Sequence, residues 1–343
     1  MSQDRRNDFD VTNTVQVSNP AAVRDAVREL FATTYPGVPF DKLWLAFYDF
    51  ERLFTGKYPG YVGCDTTYHD MQHTLDMTLA VVRLIVGYER TTQAADRLGP
   101  DRAQMTIITS LFHDSGYIRH AERDRDFRNG AELTLYHVSR SADFLRRYLP
   151  DLGLARDAAV SSMIVHFTGY EVDLDSIELE DPRDSICGHM LGTADLVAQM
   201  ADRCYLEKCR DRLYKEFVLG GIAIEHSQPD RFTVRYESGN DLLSKTPEFY
   251  QQVLKNRLQA KFNRAYRYFE VLFDGENPYI DAVRGNIKHL LRVLQDDDWR
   301  LLRRSPRYFL VDDEMGLQMD ELVSSQLRQV PAQHGTAQDV VVA

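Results

Sequence analysis

Three short stretches carry residues whose types and spacing could do chemistry together. YHDMQH, residues 68–73, sets His69 and His73 four positions apart, at the head of a segment in which Leu75, Leu79, Val82 and Val86 recur at helical spacing. Residues four apart on a helix are surface neighbours, so one face would carry both imidazoles, with Thr66 or Thr67 as the cap. TIITSLFHDSGY, residues 106–117, brings His113 and Asp114 to the end of an apolar run, just before Gly116. Packing explains such a pair poorly, because a buried charge without a partner is costly. HMLGTADLVAQMAD, residues 189–202, puts Asp195 on or beside an apolar face made by Leu191, Ala194, Val197 and Ala198.

His73, His113, Asp114 and Asp195 thus offer two imidazoles and two carboxylates from separate helices. Borderline nitrogen with hard oxygen suits one or two divalent ions: zinc, manganese, iron or magnesium. Asp114 has a second oxygen with which to bridge two ions, and a bridging water would lose a proton near neutral pH and become a nucleophile. Tyr68, Tyr117, Arg119 and His166 are candidates to meet a substrate, Arg119 because a planar guanidinium reads phosphate oxygens in pairs. Glu132 and His137 are candidates to orient a ligand from behind.

The elements that must position these groups are helical. From Pro20 onward the apolar residues keep a helical period, predicting helices over residues 21–35, 41–54, the His69–His73 segment and 101–117. One long helix is expected from Gly130 to Leu149, ended by Pro150, and another over 155–167, closed near Gly169. Two more fall between Glu180 and Gly221, and long helices separated by the turn DGENPY run from Pro247 to about Leu294. Strand signals are thin, with RFTVRYESGND, residues 231–241, as the one candidate for a short extended piece. The expectation is an all-α protein, a compact multi-helix bundle over residues 20–304, between a disordered tail at 1–19 and a loosely ordered one at 305–343.

Composition narrows the function classes. A chain of 343 residues with 43% hydrophobic and 11% aromatic content can build a sizeable core. Its net charge of −11 argues against DNA or RNA binding, since no basic stripe is available to neutralise phosphates. The four cysteines, Cys64, Cys187, Cys204 and Cys209, form no CxxC pair, which leaves zinc ribbons and redox motifs unsupported. The start MSQDRRNDFDVTNT lacks the apolar run of a signal peptide. No stretch approaches the roughly 18 apolar residues that span a bilayer. The reading is a reduced, soluble, cytoplasmic protein without a membrane partner; a homodimer is compatible with it.

The order H…HD…D resembles the signature of the HD superfamily of metal-dependent phosphohydrolases, and YHDMQH is similar to the YHNxxH element of 3′,5′-cyclic-nucleotide phosphodiesterases. The resemblance runs over about residues 60–205. It implies an all-α HD fold, metal ligation by His73, His113, Asp114 and Asp195, and His69 as the general acid that protonates the leaving oxygen while a metal-bound hydroxide attacks. The implied substrate is a small phosphate ester, with a cyclic nucleotide or another nucleotide phosphodiester first in line. Position 70 is Asp where those phosphodiesterases have Asn, and position 117 is Tyr where their HDxxH has His. The alternative is a non-catalytic, metal-containing HD-fold sensor or scaffold, which would have no use for a proton donor at His69. A zinc-peptidase reading of HDMQH puts Asp where HExxH has Glu, and leaves His113, Asp114 and Asp195 unexplained.

Overall fold

The computed structural model describes residues 5–228, 231–308 and 313–328. Helices form where the apolar period places them. α1 (Pro20–Thr34) is capped by Asn19, whose side chain accepts the N–H groups of Ala21 and Ala22, and α2 (Asp41–Phe54) follows after a short turn. α3 (Met71–Thr91) is buried at every position from Met71 to Glu89, as befits a helix at the centre of a fold. α4 (Gly99–Phe112) ends at the His113–Asp114 pair, and α5 (His137–Asp151) and α6 (Ala158–Ile164) come next. α7 (Pro182–Ala201), buried along most of its length, is the second central helix.

α8 (Tyr205–Lys208) passes through the π-helical turn Cys209–Leu213 into α9 (Tyr214–Leu219). An antiparallel hairpin follows, β1 (Ile224–Gln228) with β2 (Arg231–Val234), Ile224 facing Val234. α10 (Gly239–Gln252) runs into a longer π-helical segment, Val253–Lys261, and then come α11 (Tyr268–Leu272), α12 (Pro278–Asp296) and α13 (Asp313–Arg328). α3 packs against α1, α4, α7 and α11, and α7 also meets α4 and α12. The fold is therefore all-α, with the three histidine- and aspartate-bearing stretches on or at the ends of its innermost helices. Among the described residues, no helix is long and apolar enough to cross a membrane.

The structure departs from the sequence expectations at several places. The expected helix from Gly130 to Leu149 is broken: Gly130–Leu133 is a 3-10 turn, and α5 begins at His137 and takes Pro150 into its last turn. The reason is a cap from far away. The Glu171 carboxylate accepts the N–H groups of Val138 (2.7 Å) and Ser139 (2.9 Å), satisfying first-turn donors that a continuous helix would have used internally. The cap of α3 is Asp70, not Thr66 or Thr67; its Oδ1 accepts the His73 N–H at 3.0 Å.

The tail expected to be disordered at 1–19 is packed over its described part. Val17 is buried, and the fully buried Asp10 carboxylate meets Arg83 of α3 at 2.6 Å. In the 305–343 tail, expected to be loosely ordered, Asp313–Arg328 forms α13, with Met319 and Val323 buried against Ala131, Val218 and Ile224; residues 309–312 and 329–343 lie outside the described residues.

Asp10 also accepts the N–H groups of Thr14 and Val15, each at 2.9 Å, while Arg83 donates to the Tyr279 hydroxyl at 2.8 Å. Removing one partner of a buried pair leaves the other uncompensated. Asp10→Ala is expected to cost about 3–5 kcal/mol of stability, read as a lowered midpoint in urea unfolding of the full chain. A midpoint equal to wild type would show that the N-terminal segment is not docked.

Candidate metal centre

The apolar run of α4 stops at His113, whose Nδ1–H donates to the Ser110 carbonyl at 2.8 Å. That bond turns Nε2 inward. Asp114 follows in a non-helical conformation and opens the 3-10 turn Ser115–Tyr117. Gly116 is required here, since a Cβ on it would sit 1.8 Å from the His137 carbonyl oxygen. Its bare backbone lets the first residue of α5 lie directly on the HD turn.

Three elements converge at this point. Asp114 Oδ2 lies 3.2 Å from His113 Nε2 and 3.5 Å from His73 Nε2, and Asp195 Oδ1 of α7 lies 3.2 Å from His73 Nε2 and 3.8 Å from His113 Nε2. One ligand atom from each of His73, His113 and Asp114 falls within 4.8 Å of the others, and all three residues are buried. His113 Nε2 and Asp114 Oδ2 are buried atoms without a hydrogen-bond partner. Inward-facing nitrogen and oxygen of this kind, left unpaired in a protein interior, are what a divalent cation would satisfy. The residues present fit such an ion.

Without a cation, protons take its place. Burial would lower the His113 pKa, but the adjacent Asp114 carboxylate outweighs it and lifts the value to about 9. Burial works in the opposite sense on Asp114, yet the surrounding imidazoles hold its carboxyl far below the usual range. A metal must therefore displace a proton from His113 at neutral pH. Affinity should strengthen as pH rises toward 9, with proton release visible as a buffer-dependent enthalpy in calorimetry. A buffer-independent enthalpy at pH 7 would count against His113 as a ligand.

His69 sits beside this cluster but not on the helix. It precedes the cap of α3, so helical spacing does not set its position. Its ring lies 5.9 Å from that of His73 and stacks on Tyr117 at 4.5 Å. Nδ1 meets Glu216 Oε2 of α9 at 2.6 Å, and the other Glu216 oxygen accepts the N–H groups of Thr67 (2.6 Å) and Tyr68 (2.5 Å). Burial lowers the His69 pKa, but Glu216, with Asp114 and Asp195 behind it, leaves it above the usual histidine value. Glu216 was not found from the sequence; its only local signal is an acid set among Phe217, Val218 and Leu219.

Tyr117 is sandwiched, stacking on His137 at 4.3 Å as well as on His69. Position 117 thus spaces two imidazoles. His137, by sequence a candidate to orient a ligand from behind, donates Nδ1–H to the Thr134 carbonyl at 2.6 Å and points Nε2 at Asp114 Oδ1, 3.8 Å away. Tyr68 donates its hydroxyl to Gln199 at 3.0 Å and packs its ring edge-on to His69. Asp70 spends its second oxygen near Arg212, at 3.7 Å.

The other sequence candidates make none of these cluster contacts. Arg119 is committed to Asp65 through Nε and Nη2 and to the Phe127 carbonyl through Nη1. Glu132 pairs with Arg128 and accepts its N–H. His166 lies on the turn Val165–Thr168, half-buried, with a partnerless Nδ1.

Fold and site together define an all-α protein with a buried histidine–aspartate cluster able to hold a metal ion. A model of the Npun_R2479-like family matches residues 59–287, more than half of the chain and a span that holds the whole cluster together with Glu216, and the chain belongs to that family. No curated protein and no solved structure matches it.

Proposed function

We propose that this chain is a metal-dependent phosphohydrolase of the HD kind, acting on a small phosphate ester, with a cyclic nucleotide or other nucleotide phosphodiester as the first candidate. The observation that carries the reading is the His69–Glu216 pair beside the cluster, an imidazole whose pKa the Glu216 carboxylate raises and whose ring lies 5.9 Å from that of His73. His73, His113, Asp114 and Asp195 would hold one divalent ion; Asp114 Oδ1 and His137 would contribute to a second. A bound ion supplies Lewis acidity, acidifying water and offsetting charge on phosphoryl oxygens.

The remaining work falls to the chain. Glu216 accepts Nδ1–H of His69 and leaves Nε2–H as the proton to be given to the leaving oxygen. Tyr117 and Tyr68 confine that ring on two sides, which limits the directions in which the proton can be delivered. α3 and α7, both buried along most of their length, pack together around the cluster.

The test is elemental analysis of gently purified protein, with hydrolysis of bis-p-nitrophenyl phosphate followed by a panel of cyclic and linear nucleotides. Bound transition metal with metal-dependent ester cleavage is expected. A folded, metal-loaded protein that cleaves no phosphate ester would overturn the hydrolase reading in favour of a sensor or scaffold.

A further inference from the structure

Arg257 reaches the turn that packs on α7 one helical turn before Asp195. It lies in the π-helical segment Val253–Lys261, half-buried. Its Nη1 donates to the Phe167 carbonyl at 3.2 Å and its Nη2 to the Gly169 carbonyl at 2.6 Å, while the guanidinium lies 3.9 Å over the Tyr170 ring. Among the described residues no carboxylate pairs with it. Two of its five N–H donors are used, so three remain.

The backbone contacts place this guanidinium on the Asp195 side of the cluster. Gly192, one turn before Asp195 on α7, lies so close to the 166–170 turn that a Cβ would sit 2.5 Å from the Phe167 carbonyl oxygen. That is the oxygen Arg257 bonds. Burial depresses the Arg257 pKa, and Tyr170 and Asp195 are the groups whose charges oppose that effect. Tyr170, which the guanidinium covers, is 65% exposed, so the arrangement lies at a rim open to solvent.

Holding two carbonyls needs donors, not a formal charge. A partly buried cation without a counter-ion is costly, and an acidic chain that takes an anionic substrate needs positive charge near its metal site. π-Helical insertions also concentrate at functional positions. We propose that Arg257 binds an anionic oxygen of the substrate, the phosphate of the ester, on the Asp195 side of the cluster. This inference rests on the phosphohydrolase reading and supplies the substrate cation that Arg119, tied to Asp65, does not.

The test is calorimetric titration of metal-loaded full chain with inorganic phosphate, comparing wild type with Arg257→Ala, Arg257→Gln and Arg257→Lys. Metal content and thermal melts check that each variant is intact. Ala and Gln should weaken phosphate binding about 10- to 100-fold, the effect of losing a charge-assisted hydrogen bond, with Lys in between. A purely structural role would be served by Gln, which can still donate to a carbonyl. Wild-type affinity in Arg257→Gln therefore overturns the proposal, as does a metal-loaded wild type that binds no phosphate. Ester cleavage with Arg257-independent phosphate binding would sink the inference alone. Arg257-dependent binding without cleavage of any ester would sink the hydrolase reading alone.

Discussion

Asp114→Ala is expected to leave the chain folded but without bound metal, and to bring ester hydrolysis down to background. Asp114 stands near His73, His113 and His137 together, with Oδ2 toward His73 and His113 and Oδ1 toward His137. Its side chain is almost wholly buried, so water cannot take over its role. Loss of the carboxylate removes the group that lifts the His113 pKa and the anionic centre around which a divalent ion would be held. Asp114→Asn should behave alike, because an amide keeps the volume but not the charge. Metal-dependent stabilisation should vanish as well. An ion present at 100 times its dissociation constant adds about 2.7 kcal/mol to the folded state, and wild type should therefore melt higher with metal than without, whereas the variant should not respond. Full metal occupancy in Asp114→Ala would show that the cluster is not the binding site.

His69→Asn makes the opposite separation, with metal retained and turnover lost. General acid catalysis contributes about 10²–10⁴-fold, and the deficit should be largest for alkyl leaving groups, which most need a proton. Aryl esters such as bis-p-nitrophenyl phosphate should lose less. The pH profile carries an independent signature. A proton donor works in its protonated form, and the His69 pKa is raised, so activity should persist above the usual histidine value of about 6.5 and fall as pH climbs through the raised one. Glu216→Gln removes the carboxylate that does most of the raising and should move this basic limb to lower pH. A bound ion offsets Asp114 and Asp195 but not Glu216, so the shift should survive metal loading. An unmoved limb in Glu216→Gln would mean that another group sets it.

Much of the candidate cluster was legible because each member announces itself locally. His73, His113 and Asp195 are polar residues placed where the helical period asks for apolar ones, and Asp114 continues such a run directly. All four proved to be buried, and the structure brings them to one point. The helical class was legible for the same reason, since the period of α1 to α4 is a property of a few adjacent turns. The same logic misplaced His69: the spacing HxxxH is compatible with a helix through both residues, but Asp70 caps the helix between them, and sequence spacing alone does not choose between a cap and a continuing turn.

What the sequence by itself determined was local: which segments are helical and which polar residues those helices bury. Tertiary structure decided every partnership across long separations. Glu216 reaches His69 from 147 positions away, and Glu171 caps α5 and so breaks a helix that its own residues would continue. Asp10 makes the N-terminal segment part of the core by neutralising Arg83. Arg119 and Arg257 are equally basic in the chain, and only packing assigns one to Asp65 and sets the other on the Phe167 and Gly169 carbonyls. The physical reason is that hydrophobic periodicity reports burial of a face, whereas a charge's role depends on which opposite charge the folded chain brings within a few ångströms.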